Sequence, residues 1–239
     1  MALTLEGHTA RAFDGELSSL HLQAVSMGAL VIEQVQLAVN AYSGWDRAIA
    51  TLVLERERRI NLYDAQIEEA ALQVIAKRQP VAQDLRAVFA IDKVVTELER
   101  AADEAKKLAL TVLADNEANG FRPGAATARE ARALGRMAML MIRAAIEAFD
   151  RLDPVAAAQV VRQDQEMDSE YALVLRRLLT HAMEDPRRLQ STIEAAFIMR
   201  SLERIGDHAR NIARHVGFVS GDFDPTATGV LSASLFLKN

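Results

Sequence analysis

Leu202-Glu203-Arg204-Ile205-Gly206-Asp207 recurs about a hundred residues earlier as Leu98-Glu99-Arg100-Ala101-Ala102-Asp103. Both copies lie in strongly helical sequence, where residues four apart stand one above the other on the same face. Each copy therefore stacks a Glu on an Asp. Like charges at that spacing cost an isolated helix roughly 0.2–0.5 kcal/mol, so basic neighbours or a bound cation must offset them. The recurrence marks the chain as a duplication, and the fold can be read outward from the two copies.

Around the second copy, Ile198, Leu202, Ile205, Ala209 and Ile212 alternate at spacings of four and three, drawing a narrow apolar seam. Val94, Leu98, Ala101, Ala105 and Leu108 do the same around the first. At about 100° per residue, Glu203 and Asp207, like Glu99 and Asp103, fall opposite these seams and are expected on the outer face. One helix upstream, Asp164 and Asp168 form another acidic step beside Met167, Tyr171, Val174 and Leu178. In the first copy Glu57 and Asn61 hold the equivalent places, and Asp64 stands where Tyr171 stands. If the second and third helices are adjacent, and likewise the fifth and sixth, each unit presents several oxygen donors across a helix pair, a set suited to a hard divalent cation. Ion pairing is the competing reading. Arg200, Arg204 and Arg210 lie three residues from Glu203 or Asp207, and Arg100, Lys106 and Lys107 lie three or four from Asp103. The pattern alone leaves both open.

Read in order, Asp14 is expected to cap a first helix running to about Ala41, which Tyr42-Ser43-Gly44 ends. A second helix spans about Asp46 to Ala76 and is followed by Lys77 and Arg78, suited to the negative end of its dipole. Pro80 is expected at the first position of a third helix, where its missing N–H needs no partner, and that helix runs to about Asn116. Asn119-Gly120-Phe121-Arg122-Pro123-Gly124 breaks the chain. The plan then repeats: a helix from about Ala125 to Arg151, a break at Asp153-Pro154, a helix to about Met183, a break at Asp185-Pro186 and a last helix to about His215. The fold class is all-α, two tandem pseudo-symmetric antiparallel three-helix bundles at residues 10–118 and 125–218, with a loosely ordered tail at 219–239.

Composition excludes several functions. The 239 residues are 50% hydrophobic and only 5% aromatic, which favours helices over sheets. A net charge of -5 with no basic tail disfavours nucleic acid. With no cysteine, any metal must be held by oxygen or imidazole. The start of the chain lacks a basic, then apolar, secretory signal. No window of 18 apolar residues stands out, the richest, Ala133–Phe149, being broken by Arg136, Arg143 and Glu147. A soluble cytoplasmic protein is expected. Phosphate-binding loops, nucleophile elbows and His-Glu-x-x-His are absent, and no histidine follows a Glu by three, as a di-iron bundle requires. His8, His21, His181, His208 and His215 share no paired spacing and are expected to face solvent, with His208, beside Asp207, the best exception. Trp45 reads as a turn anchor, Met137, Met139 and Met141 as core, and Gly206 and Ala102 as admitting a neighbouring helix.

These residues resemble the PhoU family of accessory regulators of bacterial phosphate uptake, from about His8 to Asp222. The likeness rests on Phe13-Asp14-Gly15-Glu16-Leu17, on Ala76-Lys77-Arg78-Gln79-Pro80 followed by Asp84-Leu85-Arg86, and on Glu97-Leu98-Glu99-Arg100 with Asp103. Its most specific part is Ser201-Leu202-Glu203-Arg204-Ile205-Gly206-Asp207 with Asn211-Ile212-Ala213. The resemblance implies divalent or multinuclear metal, whether Mg, Mn, Fe or Zn, at Glu99, Asp103, Glu203 and Asp207, at Asp164 and Asp168, and at Glu57, Asn61 and Asp64. Ala101-Ala102 in place of Ile-Gly, and the neutral amide oxygen of Asn61, imply a weaker first site. It further implies a cytoplasmic, homodimeric, non-catalytic negative regulator of phosphate uptake and of the phosphate-starvation response. Such a protein joins the phosphate ABC transporter to its sensor histidine kinase, touching the membrane only through them. The alternatives are a metal-dependent helical enzyme acting on phosphorylated substrates, and a structural helical adaptor whose acids are ion-paired.

Overall fold

The computed structural model describes residues 11–114 and 122–220, so Asn119, Gly120 and Phe121 of the central break, and the tail beyond Ser220, lie outside the described residues. Among the described residues there are six α-helices, one 3-10 turn and no strand.

The two corners that open the second helix of each unit are built alike. Helix α1 (Arg11–Gly44) leads into α2 (Arg47–Arg78) through Trp45, in the left-handed region at φ 52, and Asp46. The Asp46 carboxylate accepts from the N–H groups of Ala48 at 2.8 Å and Ile49 at 3.0 Å, satisfying two donors that the helix itself leaves unpaired. Trp45 lies edge-on to Tyr42 with ring centroids 6.0 Å apart and anchors the turn. Helix α4 (Ala125–Arg151) leads into α5 (Pro154–Glu184) through Leu152, at φ 49, and Asp153, which caps Val155 at 2.9 Å and Ala156 at 3.0 Å. Here Pro154 does occupy the first turn.

Two helix starts differ from those expected from the sequence, and α1 runs on through Tyr42-Ser43-Gly44. Asp14 lies inside the first turn of α1 and is not its cap. Helix α3 (Gln83–Ala114) begins three residues after Pro80, because Gln79 and Ala82, each at φ 49, turn the chain left-handed on both sides of the proline. A 3-10 turn at Pro186–Arg188 leads into α6 (Leu189–Ser220), which extends past His215.

Helices α1, α2 and α3 pack together, as do α4, α5 and α6, and the two bundles join through α3 on α6 and α1 on α4. A single apolar core runs through both. Leu98 and Leu202, the apolar members of the two repeated motifs, are fully buried in it, each contributing about 1.5–3 kcal/mol of burial. Met139 and Met141 are buried and Met137 packs against the core. The one described helix long and apolar enough to span a membrane by length and composition is α1 rather than Ala133–Phe149, at a mean hydropathy of 1.4 over its richest window. Burial of its Leu17, Leu20, Met27, Val31 and Val35 in the core accounts for that composition.

Glycines set how closely α1 and α4 approach. A Cβ at Gly135 would lie 2.5 Å from Val39 Cγ2, and one at Gly28 would lie 2.8 Å from Ile146 Cγ1. Gly135→Ala removes a helix penalty of about 1 kcal/mol but forces a β-branched neighbour to move. It is expected to destabilise by about 1 kcal/mol net, since overpacking costs ~1–3 kcal/mol; urea unfolding measures this, and a stabilised variant would show that the helices can separate freely. At Gly206 the nearest atoms are Met167 Cγ at 3.3 Å and Met141 Sδ at 3.4 Å, so the small residue admits neighbouring side chains.

Candidate metal centre

In the second unit α5 supplies Asp164 and, one turn on, Asp168; α6 supplies Glu203 and, one turn on, Asp207. Arg210, the turn after Asp207, lies between the two helices. Its guanidinium donates to Asp164 Oδ2 at 2.5 Å and forms an ion pair with Asp207 Oδ1 at 2.8 Å. Arg200 donates to Glu203 Oε1 at 2.5 Å, while Glu203 Oε2 is buried without a hydrogen-bond partner. Burial, then the charges of Asp207, Asp168 and Asp164, push the Glu203 carboxyl up to about 7, against the opposing effect of Arg200. Burial also raises Asp164, although the Arg210 bond works against it.

The first unit repeats this arrangement with different chemistry. Glu57 of α2 faces Asp103 of α3, and Lys106 takes the place of Arg210, with Nζ 3.1 Å from Asp103 Oδ1 and 3.7 Å from Glu57 Oε1. Burial and the Asp103 carboxylate raise Glu57, against Lys106 and the amide of Gln34, which donates to Glu57 Oε2. Glu99 is raised by burial and by the charges of Asp103 and Asp64, and Asp64 by burial and by Glu68 and Asp92. Glu57 and Glu99 thus each feel Asp103, and Glu99 also feels Asp64. Asn61, with its amide oriented to donate, bonds Glu57 Oε1 at 3.3 Å and the Glu57 carbonyl at 3.1 Å. Its nitrogen, not the oxygen anticipated from sequence, faces the cluster.

Neither cluster lies wholly on an outer face: Glu57, Asp164 and Glu203 are buried, Asp64, Glu99, Asp103 and Asp207 partly so, and Asn61 and Asp168 are exposed. The reason is the number of neighbours: α6 packs against α3, α4 and α5 at once, which leaves it little outer surface. Among the described residues, no three His, Asp or Glu side chains stand close enough to hold one ion. Lys106 and Arg210 occupy the spaces between the carboxylates. The donor chemistry nevertheless fits a hard divalent cation, for Glu203 Oε2 is a buried oxygen without a partner and four carboxylates there face two guanidiniums.

The sequence reading missed a polar seam between the two bundles. His208 and Asn211 of α6 reach Glu97 Oε2 on α3, at 2.7 and 3.1 Å. Glu104, one heptad after Glu97, meets Arg204 of α6 at 3.2 Å and Lys107 at 2.7 Å. Burial alone would raise Glu97, but the bonds from His208 and Asn211 outweigh it and hold the carboxyl below its usual range. His208 is therefore buried rather than solvent-facing. The same correction applies to His21, stacked 4.8 Å from Phe149 with Nε2 3.1 Å from Asp150, and to His215, whose ring burial shifts toward the neutral form.

Residues 24–112 and 131–216 match the PhoU domain family model twice over, once in each bundle. The chain is 39% identical to the "Phosphate-specific transport system accessory protein PhoU" of Serratia marcescens over 92% of this chain and 89% of that protein. It is 36% identical to the protein of the same name from Escherichia coli (strain K12), over 90% and 88%. The crystal structure of PhoU from Pseudomonas aeruginosa superposes with a TM-score of 0.82 at 39% identity, covering 88% of this chain and all (100%) of that one. A phosphate transport system regulatory protein PhoU from Streptococcus pneumoniae shares the fold, with a TM-score of 0.77 at 24% identity over 87% and 96% of the two chains. The duplicated bundles, the paired acidic steps and these likenesses converge: the chain belongs to the PhoU family.

Proposed function

We propose that this chain is a cytoplasmic negative regulator of phosphate uptake and of the phosphate-starvation response. It acts without catalysis, as a homodimer, by contacting the phosphate ABC transporter and its sensor histidine kinase. The observation that carries this reading is the likeness, across about nine-tenths of the chain, to accessory proteins of the phosphate-specific transport system. Deleting the gene is expected to leave phosphate-starvation promoters active in phosphate-rich medium, as a reporter fusion would show. Normal repression in the deletion strain would overturn the proposal.

The same reading makes the two acidic clusters divalent-metal sites, with Glu203, Asp207, Asp164 and Asp168 holding the stronger one. Glu99, Asp103, Glu57 and Asp64 make up the weaker, where Asn61, whose amide donates to Glu57, would have to turn its oxygen inward to serve as a ligand and where Lys106 competes. Support comes from the buried unpartnered oxygen of Glu203 and from the excess of carboxylates over cations. A metal would supply the positive charge these groups lack. In a chelator, Asp207→Asn is expected to alter stability by less than about 1 kcal/mol, because the lost pair with the Arg210 guanidinium offsets the relief of Glu203. With Mn²⁺ or Mg²⁺ in excess, wild type gains thermal stability by mass action and the variant gains less. Equal melting shifts would remove Asp207 from the ligand set, and no shift in wild type would favour ion pairing alone.

A further inference from the structure

Helix α4 carries Arg129, Arg132, Arg136 and Arg143 along its exposed side, with Leu140, 61% exposed, between the last two. None of the four is ion-paired among the described residues. In a chain of net charge -5 the four concentrate positive charge between Arg129 and Arg143, up to the exposed Glu147 that follows one turn later. Arg136 and Arg143 form one wall of a groove of about 550 Å³, whose other walls are α1 and α2 and whose apolar lining includes Leu37, Met139 and Leu140. Arg56 is the third arginine at its rim, paired with Glu33, the only acid in the lining.

We propose that this groove docks an acidic amphipathic helix of a partner protein. Leu37, Met139 and Leu140 would take its apolar residues, and Arg132, Arg136 and Arg143 its carboxylates. Residues i, i+3, i+4 and i+7 of such a helix fall on one face; the α4 wall of the groove, Arg136 to Arg143, covers about two helical turns, and Arg132 and Arg129 outside the groove carry the stripe on to about 21 Å, about four turns at ~1.5 Å per residue. Arginine suits the role because its planar fork binds carboxylate in two places. A small anion fits less well, since the arginines are exposed and the groove between them is apolar. A flat bilayer would leave that concave lining uncovered. A second copy related by a two-fold axis would bring arginine against arginine.

The test is fluorescence anisotropy with a labelled synthetic peptide of about four turns, Leu on one helical face and Glu on the other, against a scrambled peptide of equal composition. Both arginines are exposed, so Arg136→Glu/Arg143→Glu is expected to keep the wild-type circular dichroism and melting. It is expected to weaken the patterned peptide at least roughly tenfold, with binding to wild type also falling as salt rises. Leu140→Ser should weaken it as well. No binding to wild type, equal binding of the scrambled peptide, or indifference to charge reversal or to Leu140→Ser would each overturn the proposal. So would displacement by inorganic phosphate or by phosphatidylglycerol vesicles, or sedimentation showing that charge reversal dissociates a dimer of this chain.

Discussion

Arg210→Gln is expected to destabilise the metal-free protein by about 2–3 kcal/mol and to lose most of that deficit when Mn²⁺ is added. Arg210 binds Asp164 at 2.5 Å and Asp207 at 2.8 Å, and Asp164 is buried. Removing one member of a wholly buried pair costs ~3–5 kcal/mol, mostly because the other charge is left uncompensated. The Arg210 side chain is 22% exposed, so some water reaches the site and the lower figure applies. Without the guanidinium, Asp164, Asp168, Glu203 and Asp207 retain, among the described residues, only Arg200 on Glu203 as an ion-pair partner. A divalent cation then gains both space and attraction, and its melting shift in the variant should exceed that in wild type. Lys106→Met is expected to act in the same direction but less, because Lys106 is a third exposed and Gln34 still holds Glu57. Guanidinium unfolding in EDTA and in excess Mn²⁺ measures both. An equal deficit in the two media would mean that Arg210 is a structural strut whose place no ion takes.

What the sequence discloses here depends on whether the cause is local. The Asp46 and Asp153 corners were legible because a cap needs only an Asp and the two N–H groups that follow it. The packing of α2 on α3 and of α5 on α6 was only a condition in the sequence, and the structure meets it. Which face the paired acids occupy was not legible, since a helical period gives an angle but not the number of helices around it. For that reason Glu203 was placed outside and is buried. Two signals were present and unused. Glu97 and Glu104 are a heptad apart, as are Ser201 and His208 in the other unit, and antiparallel crossing of α3 and α6 brings Glu97 to His208 and Glu104 to Arg204. Gln34 sits in an apolar run, Met27, Val31, Ala38 and Ala41, where a polar side chain requires a buried partner, and that partner is Glu57. The Pro80 error has no such signal: Gln79 and Ala82 adopt left-handed backbone without being Gly or Asn.

Glu203→Gln is expected to be more stable than wild type by about 2 kcal/mol at pH 8 in a chelator, and equal to it near pH 4. The folded protein holds the Glu203 carboxyl at about 7, against an ordinary value of 4.5. Between those two values the folded state binds a proton that the unfolded state has released, so stability falls as pH rises through the window. Below it both states are protonated and the contribution is fully present. Above it the ionised carboxylate sits buried among Asp207, Asp168 and Asp164, which opposes folding. At ~1.36 kcal/mol per pH unit of displacement the penalty is about 3.4 kcal/mol; because Asp207 keeps 26% of its side chain in solvent, it is discounted to about 2 kcal/mol. Glutamine keeps the shape and carries no charge at any pH. Burial raises Glu57 in the same direction, but that contribution is common to both proteins and cancels in the difference. Urea unfolding of the pair at pH 4 and pH 8 reads the effect, and a difference independent of pH would mean that Glu203 titrates as an ordinary carboxyl. Excess divalent cation should reverse the order at pH 8, because a ligand must be ionised and binding then releases the proton. Wild type would become the more stable protein and would release protons on binding Mn²⁺ near pH 7, while the glutamine variant would not.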